Sequence, residues 1–233
     1  MTAVTLHGWN LNPMQAIALQ RELAREIVTS GEVRDVHLLG GADISASRGS
    51  RTARTAIVVL SFPELDIVEV KTLESDLCFP YIPGLLSFRE APPILELFGK
   101  LQNKPDLLFV DGQGTAHPRR LGIASHLGLW LDIPTIGCAK SRLCGVHAEV
   151  GLAAGSREEL KYGEDVIGEV VRTRAGSKPL YISPGHRISL ENSVWWVMSC
   201  TKGYRLPEMS RLAHLAAGGN LPLNKNICNR AVS

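Results

Sequence analysis

The stretch "RTAIVVLSFPELDIVEVKTLES", residues 54–75, decides the fold class. Two β-rich runs, 54–62 and 66–75, are separated only by Pro63-Glu64-Leu65, long enough for a hairpin but too short for a parallel crossover. Upstream, "DVHLLGGADIS" (35–45) has the same character, so short connections predict a three-stranded antiparallel meander. Downstream the pattern changes. A helix over roughly 91–101, the apolar run "DLLFV" (106–110), a helix around 119–131 and "IPTIGCA" (133–139) alternate in turn. Uninterrupted apolar strands between helices are the mark of parallel pairing buried on both faces. The chain therefore reads as α/β: a mixed sheet, the antiparallel meander first and parallel strands after it, flanked by helices.

Outward from that centre, residues 12–29 predict an amphipathic helix, with Asn12 as cap, Pro13 in the first position and Ala16, Leu19, Leu23 and Ile27 on one face. Short strands are expected near 165–172 and 179–183, a last helix from a Ser189 cap through Cys200, and a frayed Asn-rich tail over 221–233. No repeat or low-complexity linker divides the chain, so residues 1–233 read as one domain, with 1–30 as an N-terminal helical segment.

The composition excludes several classes. Of 233 residues 45% are hydrophobic and 21% charged, and the net charge of +2 leaves any affinity for nucleic acid to local clustering. Five cysteines (Cys78, Cys138, Cys144, Cys200, Cys228) are odd in number and never in CxxC spacing, which argues against a disulfide framework and a zinc knuckle and for free thiols in a reducing cytoplasm. No apolar run approaches the length of a membrane span, and no secretory signal opens the chain. We expect a cytoplasmic monomer without membrane association.

Carboxylates carry the chemistry. Asp43 ends the first strand after Gly40-Gly41, glycines that mark a bulge or a close backbone approach. Asp111 ends the apolar strand in "LLFVDG", at the carboxyl edge where open α/β sheets bind ligands. Glu90 admits two readings: a capping box begun by Ser87, or a free carboxylate at the mouth of a helix that starts near Ala91 because Pro92 and Pro93 cannot lie deep inside it. Acids converging from two strand ends and a helix start suit Mg²⁺ or Mn²⁺ and the hydrolysis of phosphodiesters. His117, Arg119 and Arg120 follow Asp111, and Lys140 and Arg142 follow the next parallel strand, so cations recur at the same sheet edge and suggest phosphate contacts. Before Glu90, "FPYIPGLLSFRE" (79–90) brackets Tyr81 and Ile82 between Pro80 and Pro83, a stiff hairpin that can join neither strand nor helix.

That segment, with "LFVDGQGTAHPRRLGIASHLG" (108–128), "IPTIGCAKSRLCG" (133–145), "SPGHRISLENSVWWV" (183–197) and "KGYRLPE" (202–208), resembles the endonuclease V family of deoxyinosine-specific repair nucleases, from about Asp43 to His214. The resemblance implies a ribonuclease H-like fold. It implies that Asp43, Glu90 and Asp111 are catalytic acids that bind Mg²⁺ (Mn²⁺ as substitute), with His214 at the edge of the site and Lys140 near the scissile phosphate. It implies one-strand hydrolysis at the second phosphodiester bond 3′ to the lesion, leaving 3′-hydroxyl and 5′-phosphate ends. Pro80-Tyr81-Ile82-Pro83 corresponds to a wedge that enters the space left by a flipped nucleotide. The flipped base would enter a pocket lined by Gly84, Leu86, Gly112, His117, Gly122 and Ile123, where close backbone excludes the 2-amino group of guanine. The chain departs from the family pattern at Ala42, Ala46, Thr115 and Met209. The expected partner is DNA that contains deoxyinosine or other deaminated bases. Inosine-containing RNA is the alternative substrate, and a non-catalytic sensor of such bases the alternative function.

Overall fold

The computed structural model describes residues 6–46 and 51–221. Its strands are β1 (Leu38–Ala46), β2 (Thr52–Ser61), β3 (Ile67–Asp76), β4 (Leu107–Val110), β5 (Thr135–Ala139), β6 (Arg157–Tyr162), β7 (Asp165–Val171) and β8 (Leu180–His186). They form one sheet in the order β3-β2-β1-β4-β5-β8-β7-β6. The meander is present, since β1 pairs antiparallel with β2 and β2 with β3. The apolar strands are parallel as read, with β1 beside β4 and β4 beside β5. Beyond β5 the sheet turns antiparallel again through β8, β7 and β6.

The helices are α1 (Pro13–Leu23), α2 (Leu86–Gly99), α3 (Ile123–Leu131), α4 (Leu190–Ser199) and α5 (Glu208–Ala217). Period-two alternation in the central strands sorts the core into two layers. Ala56, Val58, Leu60, Leu107 and Phe109 face one way and pack with Val194 and Val197 of α4 and Met209, Leu212 and Ala213 of α5. Ile57, Val59, Leu108 and Val110 face the other way, against Ala91, Ile94 and Leu97 of α2 and Ala124 and Leu127 of α3. Gly41 on β1 is what lets α5 settle: a Cβ there would stand 2.2 Å from the Met209 carbonyl oxygen, so only glycine admits the helix this close. None of the described helices is long and apolar enough to cross a membrane.

Four expectations are corrected. The first helix is shorter than 12–29, ending at Leu23 in a 3₁₀ turn over Ala24–Glu26 and then extended backbone at Ile27. The second begins at Leu86, so Glu90 lies inside α2, and neither the Ser87 capping box nor a start near Ala91 is observed. Interior prolines cost about 3 kcal/mol each. Phe88, Ile94, Leu97 and Phe98 are all buried on the same helix and contribute about 1.5–3 kcal/mol apiece, which offsets that cost. The third helix begins at Ile123, since Arg120 takes left-handed backbone at φ 60°. Finally, β6 and α5 are elements that the sequence reading did not assign. The frayed tail expected beyond Leu221 lies outside the described residues.

Candidate active site

Strand register brings the two aspartates together. Ala42 on β1 lies opposite Val110 on β4 in parallel pairing, and the Asp111 amide donates to the Ala42 carbonyl at 3.2 Å. Asp43 and Asp111 are the next residues on each strand, so their side chains leave the same sheet edge. Two further elements converge there. Lys140, just past β5, places Nζ 2.5 Å from Asp111 Oδ2, and His214 on α5 places Nδ1 2.6 Å from Asp43 Oδ2 and 3.3 Å from Lys140 Nζ. The Gly41 contact is thus part of the site's construction, because it fixes the height at which α5 carries His214 over β1.

The electrostatics are those of crowded acids. Asp43 is buried, and burial first and Asp111 second hold its carboxyl above the usual carboxylate range. Its Oδ1 accepts from the Ile44 amide at 2.7 Å. Glu90 is pushed up to about 8, by burial and then by the charges of Asp43 and Asp111. Its carboxylate has no hydrogen-bond or ion-pair partner among the described residues. One ligand atom each from Asp43, Asp111 and His214 lie within 4.8 Å of one another. Glu90, which the sequence reading placed among the metal ligands, stands outside that group, and His214 takes the third place. Two carboxylate oxygens and an imidazole nitrogen, with like charges pressed together, fit a divalent cation; the crowding is what such an ion relieves.

The remaining expected residues divide. Gly84, Leu86, Gly112, His117, Gly122 and Ile123 line one cavity of about 480 Å³ together with Asp43, Glu90, Asp111, Lys140 and Arg142. Tyr81, Ile82 and Pro83 form part of its rim, with Tyr81 70% exposed. Ile82 turns inward onto Phe79, Leu85 and Phe88. The hairpin is fastened at both ends. Arg89 Nη1 donates to the Phe79 carbonyl at 2.6 Å. The carbonyl of Gly84, a residue at φ 79°, accepts from Gln20 Nε2, His117 Nε2 and Arg119 Nη2 at 3.0, 2.9 and 2.8 Å. His117 Nδ1 accepts from the Arg119 amide at 3.1 Å, so the ring is neutral, with its proton on Nε2; burial pushes it down to about 4.

Arg119 and Arg120, expected at phosphates, are committed elsewhere. Arg119 is spent on Gly84 and on Gln20 Oε1, and Arg120 pairs with Asp165 at 2.9 Å; neither lines the cavity. Arg142 is exposed on the rim without an ion-pair partner among the described residues. Sequence reasoning missed Gln20 and Gln113, both buried polar residues of the cavity wall. For Gln20 a signal existed: it sits four residues after Ala16 and three before Leu23, a polar residue in the apolar stripe of α1.

Known proteins resemble this chain in sequence and fold. The sequence profile described as Endonuclease V matches residues 21–215. An endonuclease V of Dehalococcoides mccartyi is 53% identical over 212 residues, covering 91% of this chain and 95% of that protein. The crystal structure of the Streptomyces avermitilis endonuclease V superimposes with a TM-score of 0.85 at 33% identity, covering 100% of both chains. That of the Ciona intestinalis endonuclease V, in complex with a 23mer DNA containing an inosine followed by a ribo-adenosine, gives a TM-score of 0.79 at 31% identity, over 91% of this chain and 98% of the other.

Proposed function

The chain belongs to the endonuclease V family and is a nuclease, and from that premise we propose that it nicks DNA beside deaminated bases, chiefly deoxyinosine. The cut falls at the second phosphodiester bond 3′ to the lesion and leaves 3′-hydroxyl and 5′-phosphate ends. One observation carries this reading: the acid cluster, the exposed Tyr81 and the glycine-walled recess share a single cavity. The Ciona relative's complex with inosine-containing DNA supports it.

Asp43, Asp111 and His214 would hold a divalent cation, Mg²⁺ by our reading with Mn²⁺ as substitute. Such an ion supplies charge neutralisation at phosphate oxygens and a more acidic water. Lys140 Nζ, already beside Asp111, offers a second positive charge to the scissile phosphate. Glu90, with its pKa near 8, completes the acidic wall and holds a proton on its carboxyl at neutral pH before a cation binds. Tyr81, stiffened by Pro80 and Pro83, takes the place of the extruded nucleotide; a base–aromatic stack returns about 1–3 kcal/mol against an extrusion cost of a few. The base then meets Gly84, Leu86, Gly112, Gly122 and Ile123. A Cβ at Gly112 would stand 2.5 Å from Ile123 Cγ2, so this wall already lies close. Arg142 on the rim is the remaining phosphate contact. The described cysteines are all free, which suits the reducing cytoplasm where we place the protein.

The test is an end-labelled duplex with one deoxyinosine, incubated with Mg²⁺, with Mn²⁺ and with chelator, and the nick mapped on a sequencing gel. We expect one metal-dependent nick at the second bond 3′ to the lesion. Tight binding without a nick in either metal leaves only a sensor of deaminated bases. Because the Ciona complex has a ribo-adenosine after its inosine, a parallel set carries a ribonucleotide at that position, and an all-RNA strand tests the ribonuclease alternative.

A further inference from the structure

Gln20 belongs to α1, an element with no part in the reading above, and is only 1% exposed. Its amide is fully engaged. Nε2 donates to the Gly84 carbonyl at 3.0 Å and to the Leu121 carbonyl at 3.1 Å, while Oε1 accepts from Arg119 Nε at 2.6 Å. Gly84 closes the wedge hairpin, and Leu121 precedes Gly122 at the entrance to α3. One side chain therefore ties together two segments of cavity wall that lie far apart in the sequence, and it lines the cavity itself.

The physical need for such a tie follows from the composition of the wall. Glycines allow backbone to approach a base closely, but the same freedom lets that backbone give way. Hypoxanthine differs from xanthine and guanine at position 2 of the ring, where it carries only hydrogen. A wall rejects the larger bases by contact only if it cannot yield by about the radius of one atom. A buried amide with both hydrogens on carbonyls and its oxygen on a guanidinium has no other satisfied position, so it holds the two segments at one spacing.

We propose that Gln20 is a positioning residue that fixes the distance between the Gly84 and Leu121–Gly122 segments and so sets discrimination against purines substituted at position 2. The proposal rests on the deaminated-base reading above. Gln20→Met keeps the volume and removes the polar atoms. Gln20→Glu keeps the length and the Arg119 partner but has no hydrogens for the two carbonyls. Steady-state kcat and KM are measured on duplexes with hypoxanthine, xanthine or guanine at one site, beside thermal melts of each protein. Both variants are expected to lower the hypoxanthine-to-xanthine ratio of kcat/KM about tenfold, mainly by raising kcat/KM on xanthine, with kcat on hypoxanthine within about threefold of the parent. A purely structural tie would lower kcat/KM on every duplex by one factor and leave the ratio unmoved. That result in either folded variant overturns the proposal. Failure of both variants to fold overturns it too, because the residue is then needed for folding and not for tuning. If the unaltered protein leaves the hypoxanthine duplex intact, the parent reading fails instead, and it does so before any variant is made.

Discussion

On one side of the cavity Asp43, Glu90 and Asp111 crowd together; the carboxyls of Asp43 and Glu90 are held above their usual range, and Glu90 has no hydrogen-bond partner among the described residues. On the other side the Gly84 carbonyl accepts from three donors, the Gln20 amide is fully engaged and both ring nitrogens of His117 are occupied. The acid end keeps Glu90 unpaired among the described residues, and like charges pressed together there favour a divalent cation. The hairpin end has its hydrogen bonds satisfied within the protein. A stiff hairpin loses little entropy on insertion, so it belongs where binding does mechanical work on DNA. Unrelieved charge belongs where a cation must be drawn in. The contrast teaches that stability and readiness for ligand are located in different halves of one cavity.

Four experiments can break or sharpen that contrast. The largest effect belongs to Asp43→Asn, which should lower single-turnover nicking in Mg²⁺ by on the order of 10³-fold or more. Its melting temperature in chelator should not fall, since the change removes one of two crowded charges and keeps an acceptor for the Ile44 amide. A drop of several degrees would show that the acid end is not under electrostatic stress. Tyr81→Ala comes next. Affinity for a hypoxanthine duplex in Ca²⁺ should fall about 5- to 100-fold, the equivalent of one lost stack, with no change in melting because the ring is exposed. Wild-type affinity in this variant would remove the wedge from the account.

The third experiment uses pH. In metal-free protein the Glu90 carboxyl is pushed up to about 8 when folded and returns to the ordinary glutamate value of 4.5 when unfolded, so between those values the folded state holds the extra proton. Stability from this group is therefore lost as pH rises from about 4.5 through about 8. Glu90→Gln should flatten that slope by roughly 1–2 kcal/mol, discounted for partial exposure. The wedge side slopes the other way. His117 and His126 are pushed down to about 4 and about 3, so the unfolded chain binds more protons below its ordinary histidine pKa and stability is lost as pH falls from 6.5. Urea titrations from pH 5 to pH 8.5 separate the two. The smallest effect is expected on the rim. Arg142→Ala should reduce the salt slope of DNA binding by about one counterion, whereas Arg120→Ala should leave it unchanged because that guanidinium is held by Asp165.

Much of this was legible in the sequence, for reasons that differ by residue. Asp111 could be found because it directly follows the wholly apolar strand β4, and Asp43 because it follows Gly40-Gly41, though it lies inside β1 and not at its end; parallel register does the rest. Gly41 announced a close approach, though not that α5 would be what approached. The start of α2 was misread because Pro92 and Pro93 argue locally against a helix, whereas the packing of Phe88, Ile94 and Leu97 is a tertiary fact. β6 escaped notice because "REELKY" buries only Leu160 and lies at the sheet's edge, where no alternation is required. Arg119 and Arg120 looked like phosphate ligands from their place before a helix. Their partners, Gly84 and Asp165, lie 35 and 45 residues away, and nothing local names them.

The docking of α5 on Gly41 has a consequence for how the enzyme comes into being. His214 and Asp43 are separated by 171 residues, and α5 is the last of the described helices to leave the ribosome. A nascent chain acquires both aspartates, the tyrosine hairpin and Gly84, Gly112 and Gly122 of the cavity wall while the imidazole is still unsynthesised. The cluster of Asp43, Asp111 and His214 is therefore closed by the same step that lays α5 over the meander, after both of its aspartates have been made.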